Sequence, residues 1–381
     1  DMDLTMPVGE FNDNKDITIT SSDANTITYT GTDSIDVTSS GLFKVNSGEV
    51  TFRSVNINMN MANKALSGRA LFAGQDATVY VEDCDFVGGA YVDGVQGGAS
   101  IYVHSGAEVY LKGVTSIANN VSAKAGGGVF VADGGTLGIS DEAILNDNSA
   151  AEGGAVYVSS GAVLLMSGSA KVFGNTATVA GGGLFLAQGS SSQVSGDVQI
   201  KNNEVSNKLN NVYLQNLDSN PVTVDTTKVA TLDASGVTSG ARIGITCQNP
   251  NYYRLVSLPV GNYDITKADE AGWTYDDGTY DIRLMTREGV TGLFLYYFTI
   301  PVTYNGTENL YPESGIQGED INGEIINYPS EIATEDNMEN NTPLAGEYVM
   351  NVTVDDSKYR IPETIVLSTE TREWEEGTDY E

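Results

Sequence analysis

Three stretches decide how this chain is read: Gly126-Gly127-Gly128-Val129-Phe130-Val131, Gly153-Gly154-Ala155-Val156-Tyr157-Val158 and Gly181-Gly182-Gly183-Leu184-Phe185-Leu186. The second follows the first by 27 residues, and the third follows the second by 28. A step of 28 back from Val129 reaches Ile101, and further steps of 30 and 29 reach Leu71 and Leu42, each followed by phenylalanine. Forward from Leu184, a step of 28 reaches Val212, and a degenerate copy, Arg242-Ile243-Gly244-Ile245, lies 31 beyond. Self-similarity at a period of this length is the signature of a repeat architecture.

Each copy carries more positions in register. Six and eight residues after its second aliphatic comes another apolar pair, as in Val109/Leu111, Leu137/Ile139 and Leu164/Met166. Alternation with period two predicts strands rather than helices. Six residues further on, a third strand contributes Ile117, Leu145, Val172 and Ile200, each followed three residues later by Asn120, Asn148, Asn175 or Asn203. Three short strands per roughly 28 residues, separated by Gly, Ser and Asn turns, describe one coil of a parallel β-helix. The chain is expected to be all-β: a right-handed parallel β-helix of about eight coils over residues 1–298, capped at both ends. The asparagines are expected to satisfy buried turn backbone and to bond to one another along the axis.

These repeats resemble those of the chlamydial polymorphic outer-membrane proteins and of similar bacterial β-helical adhesins. The family pattern pairs GGA and an aliphatic with an aromatic or aliphatic, two residues, then Asn. Here Gly153-Gly154-Ala155-Val156 and its two Gly-Gly-Gly variants match the first part, and Ile117 to Asn120, Leu145 to Asn148, Val172 to Asn175 and Ile200 to Asn203 match the second. The phenylalanine of the family's second motif is absent. The resemblance implies the β-helix and, by analogy, an adhesive role at a bacterial surface.

The 28-residue period fades after residue 250. Ile282 to Met285 and Leu293 to Phe298 are expected to pair across Arg287-Glu288-Gly289 and close the last coil, because an open end exposes unpaired strand edges. Residues 299–381 read as a separate module. Ala345-Gly346-Glu347-Tyr348, opening onto an alternating strand, resembles the penultimate strand of bacterial immunoglobulin-like repeats, with Tyr348 as the buried anchor. That resemblance implies a β-sandwich acting as a stalk.

Composition narrows the partners. Lys and Arg total 19 against 51 Asp and Glu, a formal charge of −32, which repels polyphosphate and argues against nucleic acid and anionic lipid. Residues 301–381 hold 19 acidic and 3 basic side chains, so this short stretch carries half of the net charge. No run of 18 apolar residues exists to span a membrane. The Cys-poor, acidic, Tyr- and Thr-rich composition fits a bacterial protein that is extracellular or attached to the cell wall.

No catalytic residue, metal or cofactor is expected. β-Helices also carry polysaccharide lyases and glycoside hydrolases, and glycoside hydrolysis needs two carboxylates roughly 5–10 Å apart on one face. The outward position is aromatic in strand one and reads Thr51, Tyr80, Tyr110, Gly138, Leu165, Gln193 in strand two, so neither row holds an acid. Asp133, Asp141, Glu142 and Glu152 fall at turns without forming a ladder, and Lys112, Lys124, Lys171, Lys201 and Lys208 lie beside no acid cluster. His104, the single histidine, reads as a turn residue. Asp276/Asp277 and the acidic C-terminal region could take calcium, against the simpler reading of a solvated acidic face. Lys358 has no assignable partner for an internal isopeptide bond.

The candidate binding surface is the aromatic position of strand one: Phe43, Phe72, Tyr102, Phe130, Tyr157, Phe185 and Tyr213, in seven consecutive copies. Side chains alternate along a strand, so aliphatics and aromatics face opposite ways. With the aliphatics inside, a ladder of rings about 4.8 Å apart runs along the outside, fit to take a glycan or a host or cell-surface protein, a capping segment or a second copy. With the register reversed, the rings stack inside and carry no function. The two thiols, Cys84 and Cys247, fall six coils apart, roughly 29 Å, whereas a disulfide needs Cα atoms within about 7 Å, so both are expected to be reduced.

Overall fold

The protein's structure, a computed structural model, describes residues 1–12, 16–36, 39–61, 65–92, 97–215 and 230–248. Beyond these it describes residues 256–257, 272–276, 281–287 and 290–296, and seven short strands between Ile316 and Ser368. Among the described residues every regular element is a strand. The chain divides into two units, Asp1–Leu295 and Tyr296–Glu381.

The first unit is a parallel β-solenoid of about seven turns. One turn shows why. Val129–Val131 turns inward the aliphatics Val129 and Val131, Thr136–Ile139 turns in Leu137 and Ile139, and Ile144–Asn146 turns in Leu145; each is at most 1 % exposed. A ring of β-branched and leucine side chains this complete leaves no core to water, and burying each contributes roughly 1.5–3 kcal/mol. Each strand pairs in register with its equivalent one turn on: Ile101 with Val129, Val129 with Val156, Val156 with Leu184, and Leu184 with Val212.

A fourth strand per turn was not visible in the sequence. Ala90–Tyr91, Val121–Ser122, Ser149–Glu152, Thr176–Ala180 and Glu204–Val205 stack into a sheet of their own, closed by an antiparallel Lys208–Leu209. Its buried residues include Ser122, Ala150 and Ala177, and such small side chains leave almost no hydrophobic alternation to read.

The Gly-Gly repeat follows from close approach. Gly126, Gly153 and Gly181 have φ of 61°, 62° and 64°, a left-handed turn that side chains resist. A Cβ on the next glycine would meet a neighbouring carbonyl oxygen: at Gly127 it would lie 2.2 Å from the oxygen of Gly154, and at Gly154 2.2 Å from that of Gly182.

Two copies sit off the expected register. Phe43 pairs with Leu71, and Lys44 with Phe72, so the first copy is shifted by one residue. The cause is Lys44: the unshifted register would turn its ammonium into the core, whereas the shift puts it outside, 2.7 Å from Glu10. The last copy is split, with Ile243 pairing with third-row Ile200 and Ile245 with first-row Val212. The N-terminal residues close their end as another turn: Gly9–Phe11 pairs with the first row, Ile17–Thr20 with the second, and Thr26–Tyr29 with the third. At the other end Asp281–Arg287 and Val290–Tyr296 are neighbours in a three-stranded sheet with Val256–Ser257.

The buried asparagines form the expected chain. Nδ2 of Asn120 donates to Oδ1 of Asn148 at 2.9 Å, Asn148 to Asn175 at 3.0 Å, Asn175 to Asn203 at 2.9 Å, and Asn203 to Asn211 at 3.0 Å. Asn148, Asn175 and Asn203 each also take the preceding asparagine's backbone N–H and give the second amide proton to a backbone carbonyl, as Asn148 does to Ile117 at 2.8 Å.

Cys84 and Cys247 are both buried and not joined in a disulfide, as the coil count requires. In the second unit Glu347–Val352 pairs antiparallel with Ser330–Ile332 and Ile365–Ser368, and Ile316–Glu319 with Ile325–Tyr328. The Tyr348 side chain, Lys358, Asp277 and the rest of 299–381 lie outside the described residues, so the β-sandwich expectation does as well.

Two outcomes follow. Asn148→Ala takes the acceptor from the Asn120 backbone N–H and from one Nδ2–H of Asn120, at about 1–3 kcal/mol each, and urea unfolding of the variant is expected to show a loss of about 2 kcal/mol or more. Burial pushes the Cys84 thiol up to about 11, so thiol-specific reagents are expected to modify it only after denaturation.

Candidate functional site

The aromatic row of strand one is outward, as the aliphatic-in register requires, but it is not bare. Val156 and Leu184 are 0 % and 1 % exposed and belong to the interior core, whereas the rings group separately on the other face. Phe72, Tyr102, Phe130, Tyr157, Phe185 and Tyr213 stack in one column, with successive centroids 5.2, 5.4, 5.2, 4.8 and 5.1 Å apart. Phe43 is not among them. Its shifted register turns it inward, where it meets Phe52 edge-on at 5.1 Å.

Alanines close over the column from both sides of the first strand. Ala125 and Ala180 do so from the segment entering it, and Ala132 and Ala187 from the turn leaving it. Phe185 is only 3 % exposed, Phe130 only 9 %, and Tyr157 and Tyr213 are half-buried. The fully buried Arg69 lays its guanidinium 4.8 Å from the Tyr102 ring centre and 5.5 Å from that of Tyr91, and burial lowers its pKa to about 10. His104 occupies a turn position beside this column, its ring 6.1 Å from Phe72 and 6.3 Å from Tyr102, with Nδ1 3.1 Å from the carbonyl of Ser105. The ladder is a second, thin apolar core.

The tyrosine ends and their neighbour are shifted accordingly. Burial raises the phenols of Tyr157 and Tyr213, and Glu152 raises them further. Glu152 is itself pushed up by burial. Its carboxyl acts on the Tyr157 phenol.

The outward face of the second strand row is more accessible. Tyr80 and Tyr110 stack at 5.3 Å, and Lys112 holds its ammonium 4.4 Å from the Tyr80 ring centre. Tyr110 leans over Gly138, where a Cβ would lie 2.4 Å from its ring. Leu165, next in the column, is 38 % exposed. The sequence reading missed the acids on this face, having taken only the central outward position of each strand. Glu49, Glu82 and Glu108 stand two residues to either side and share the same parity. Two of them are engaged: Arg53 holds Glu82 with Nε at 2.8 Å and Nη2 at 2.7 Å, and Tyr110 donates its hydroxyl to Glu108 at 2.8 Å.

The turn acids serve the backbone. Asp141 accepts the Gly113 N–H at 2.9 Å, and Asp83 accepts that of Val114 at 3.0 Å. Among the described residues no group of three or more His, Cys, Asp or Glu side chains comes together as a metal site would need, and no helix is long and apolar enough to cross a membrane. Comparison with protein-family models, with curated proteins and with solved structures finds no match.

The tyrosine pair has a pH signature. Burial and then Glu108 push the Tyr110 phenol up to about 12, and burial and then Glu49 raise that of Tyr80. Unfolded tyrosines ionise near pH 10, so the stability these protonated phenols lend is complete below about pH 10 and is lost as pH rises toward about 12. Urea midpoints are expected to fall across that window, and to fall less in Tyr110→Phe.

Proposed function

We propose that the protein is a non-catalytic, adhesin-like protein of a bacterial cell surface or exterior. The solenoid is its binding head, and residues 299–381 form an immunoglobulin-like stalk module. The reading rests on the outer face of the second strand row. Two stacked tyrosines and Leu165 lie there on a rigid sheet between columns of charged and hydroxyl side chains, and Glu82 and Glu108 are already committed to Arg53 and Tyr110. An amphipathic strip of this kind suits a sugar ring or an aromatic or aliphatic side chain, with hydrogen-bonding partners on both sides. The repeat's likeness to β-helical adhesins supports the same role, and the formal charge of −32 favours neutral or cationic partners over anionic ones.

The sealed ladder changes where binding is expected. Phe72, Tyr102, Phe130, Tyr157, Phe185 and Tyr213 hold the first strand row to its flanking turns, so the tyrosine face replaces them as the platform. A glycan array probed with the purified chain is expected to give discrete hits, and Tyr80→Ala/Tyr110→Ala is expected to lose them while the solenoid stays folded by circular dichroism. Release of reducing ends or unsaturated products from a polysaccharide would instead establish a lyase or hydrolase on the same scaffold.

A further inference from the structure

The asparagine chain ends on a carboxylate. Asn211 is the last amide rung, and its two donors reach Asp276, Nδ2 to Oδ1 at 2.6 Å and the backbone N–H to Oδ2 at 2.6 Å. Thr246 adds its hydroxyl to Oδ2 at 2.9 Å. The Asp276 N–H in turn donates to the carbonyl of Ile245 at 2.9 Å. Inner rungs accept both donors of the preceding asparagine on one amide oxygen at 2.9–3.1 Å, as Asn148 does from Asn120. The last rung spreads them over two charged oxygens, and charge-assisted bonds of this length are roughly twice as strong as neutral ones.

A second observation marks the place as built. A Cβ on Gly244 would lie 2.2 Å from Oδ1 of Asp276 and 2.4 Å from Nδ2 of Asn211. The carboxylate therefore occupies the volume that any other residue at 244 would fill. Donors from Asn211 and Thr246 and a bare backbone at Gly244 together form a carboxylate cradle at the end of the ladder.

We propose that Asp276 is a latch that fastens strand Gly272–Tyr275 onto the last turn of the solenoid. That strand pairs with Arg242–Cys247, Arg242 with Gly272 through Ile245 with Tyr275, and covers an edge that an unlatched chain would leave open to pairing with another molecule. The polarity of the ladder makes the position specific. Every amide presents its NH₂ group toward this end, so the terminal residue must accept, and a carboxylate accepts without a donor left over.

Hydrogen exchange on the full chain, followed by mass spectrometry, tests the latch. Asp276→Ala removes the acceptor, and Gly244→Ala fills the cradle without touching a charge. Both are expected to speed exchange of peptides covering 208–214, 242–248 and 272–276 by roughly tenfold or more, while peptides covering 117–150 keep wild-type rates. Asp276→Asn keeps one accepting oxygen and is expected to fall between wild type and alanine. Wild-type rates in both Asp276→Ala and Gly244→Ala would overturn the proposal, as would acceleration spread evenly over residues 97–215.

Discussion

Everything in the solenoid depends on neighbouring turns lying one strand spacing apart in exact register, because each turn is completed by the next. The asparagine chain shows this most directly. A buried amide has two donors and an acceptor to satisfy, and Asn148 finds its partners in Asn120, Asn175 and Ile117, each supplied by an adjacent turn. No single turn contains them, and an isolated turn would leave several buried polar groups unpaired. The fold is therefore cooperative along its axis, and its ends are the places where satisfaction must come from something other than another copy of the repeat.

The same spacing explains the glycines. Where the fourth strand returns to the first, the backbone of one turn lies against the carbonyl of the next too closely for a Cβ, so the second position of the repeat is held to glycine in the central copies. The third position has more room, and Ala155 stands there among glycines. Toward the N-terminal end Ala99 and then Arg69 stand at the second position instead. The Arg69 side chain lies over the ring of Tyr102 in the aromatic column.

Outward-facing does not mean exposed in this architecture. Rings at one strand spacing stack on one another, and small residues in the flanking turns fold over them, so the column that looks most like a binding strip in sequence is largely covered. On the face of Tyr80, Tyr110 and Leu165 the rings are half-buried and Leu165 is exposed, with polar neighbours to either side. On that face Glu82 and Glu108 are drawn into pairs with Arg53 and Tyr110.

The sequence by itself determined the class of fold, the strand rows and their period, the inward aliphatics, the asparagine chain and the separation of the two thiols. All of these repeat, and repetition turns a weak local preference into a strong signal. It did not determine the fourth strand, whose alanines carry no hydrophobic contrast, nor the slip at Phe43, where keeping Lys44 out of the core outweighs the period. Only the tertiary structure decided that alanines seal the aromatic column, that Glu82 and Glu108 flank the tyrosines, and that Asp276 ends the ladder. Asp276 is 65 residues from Asn211, and the turns over Tyr157 belong to segments with no periodic signal of their own. Such contacts are set by how turns stack and where the stack stops, and a one-dimensional period specifies neither.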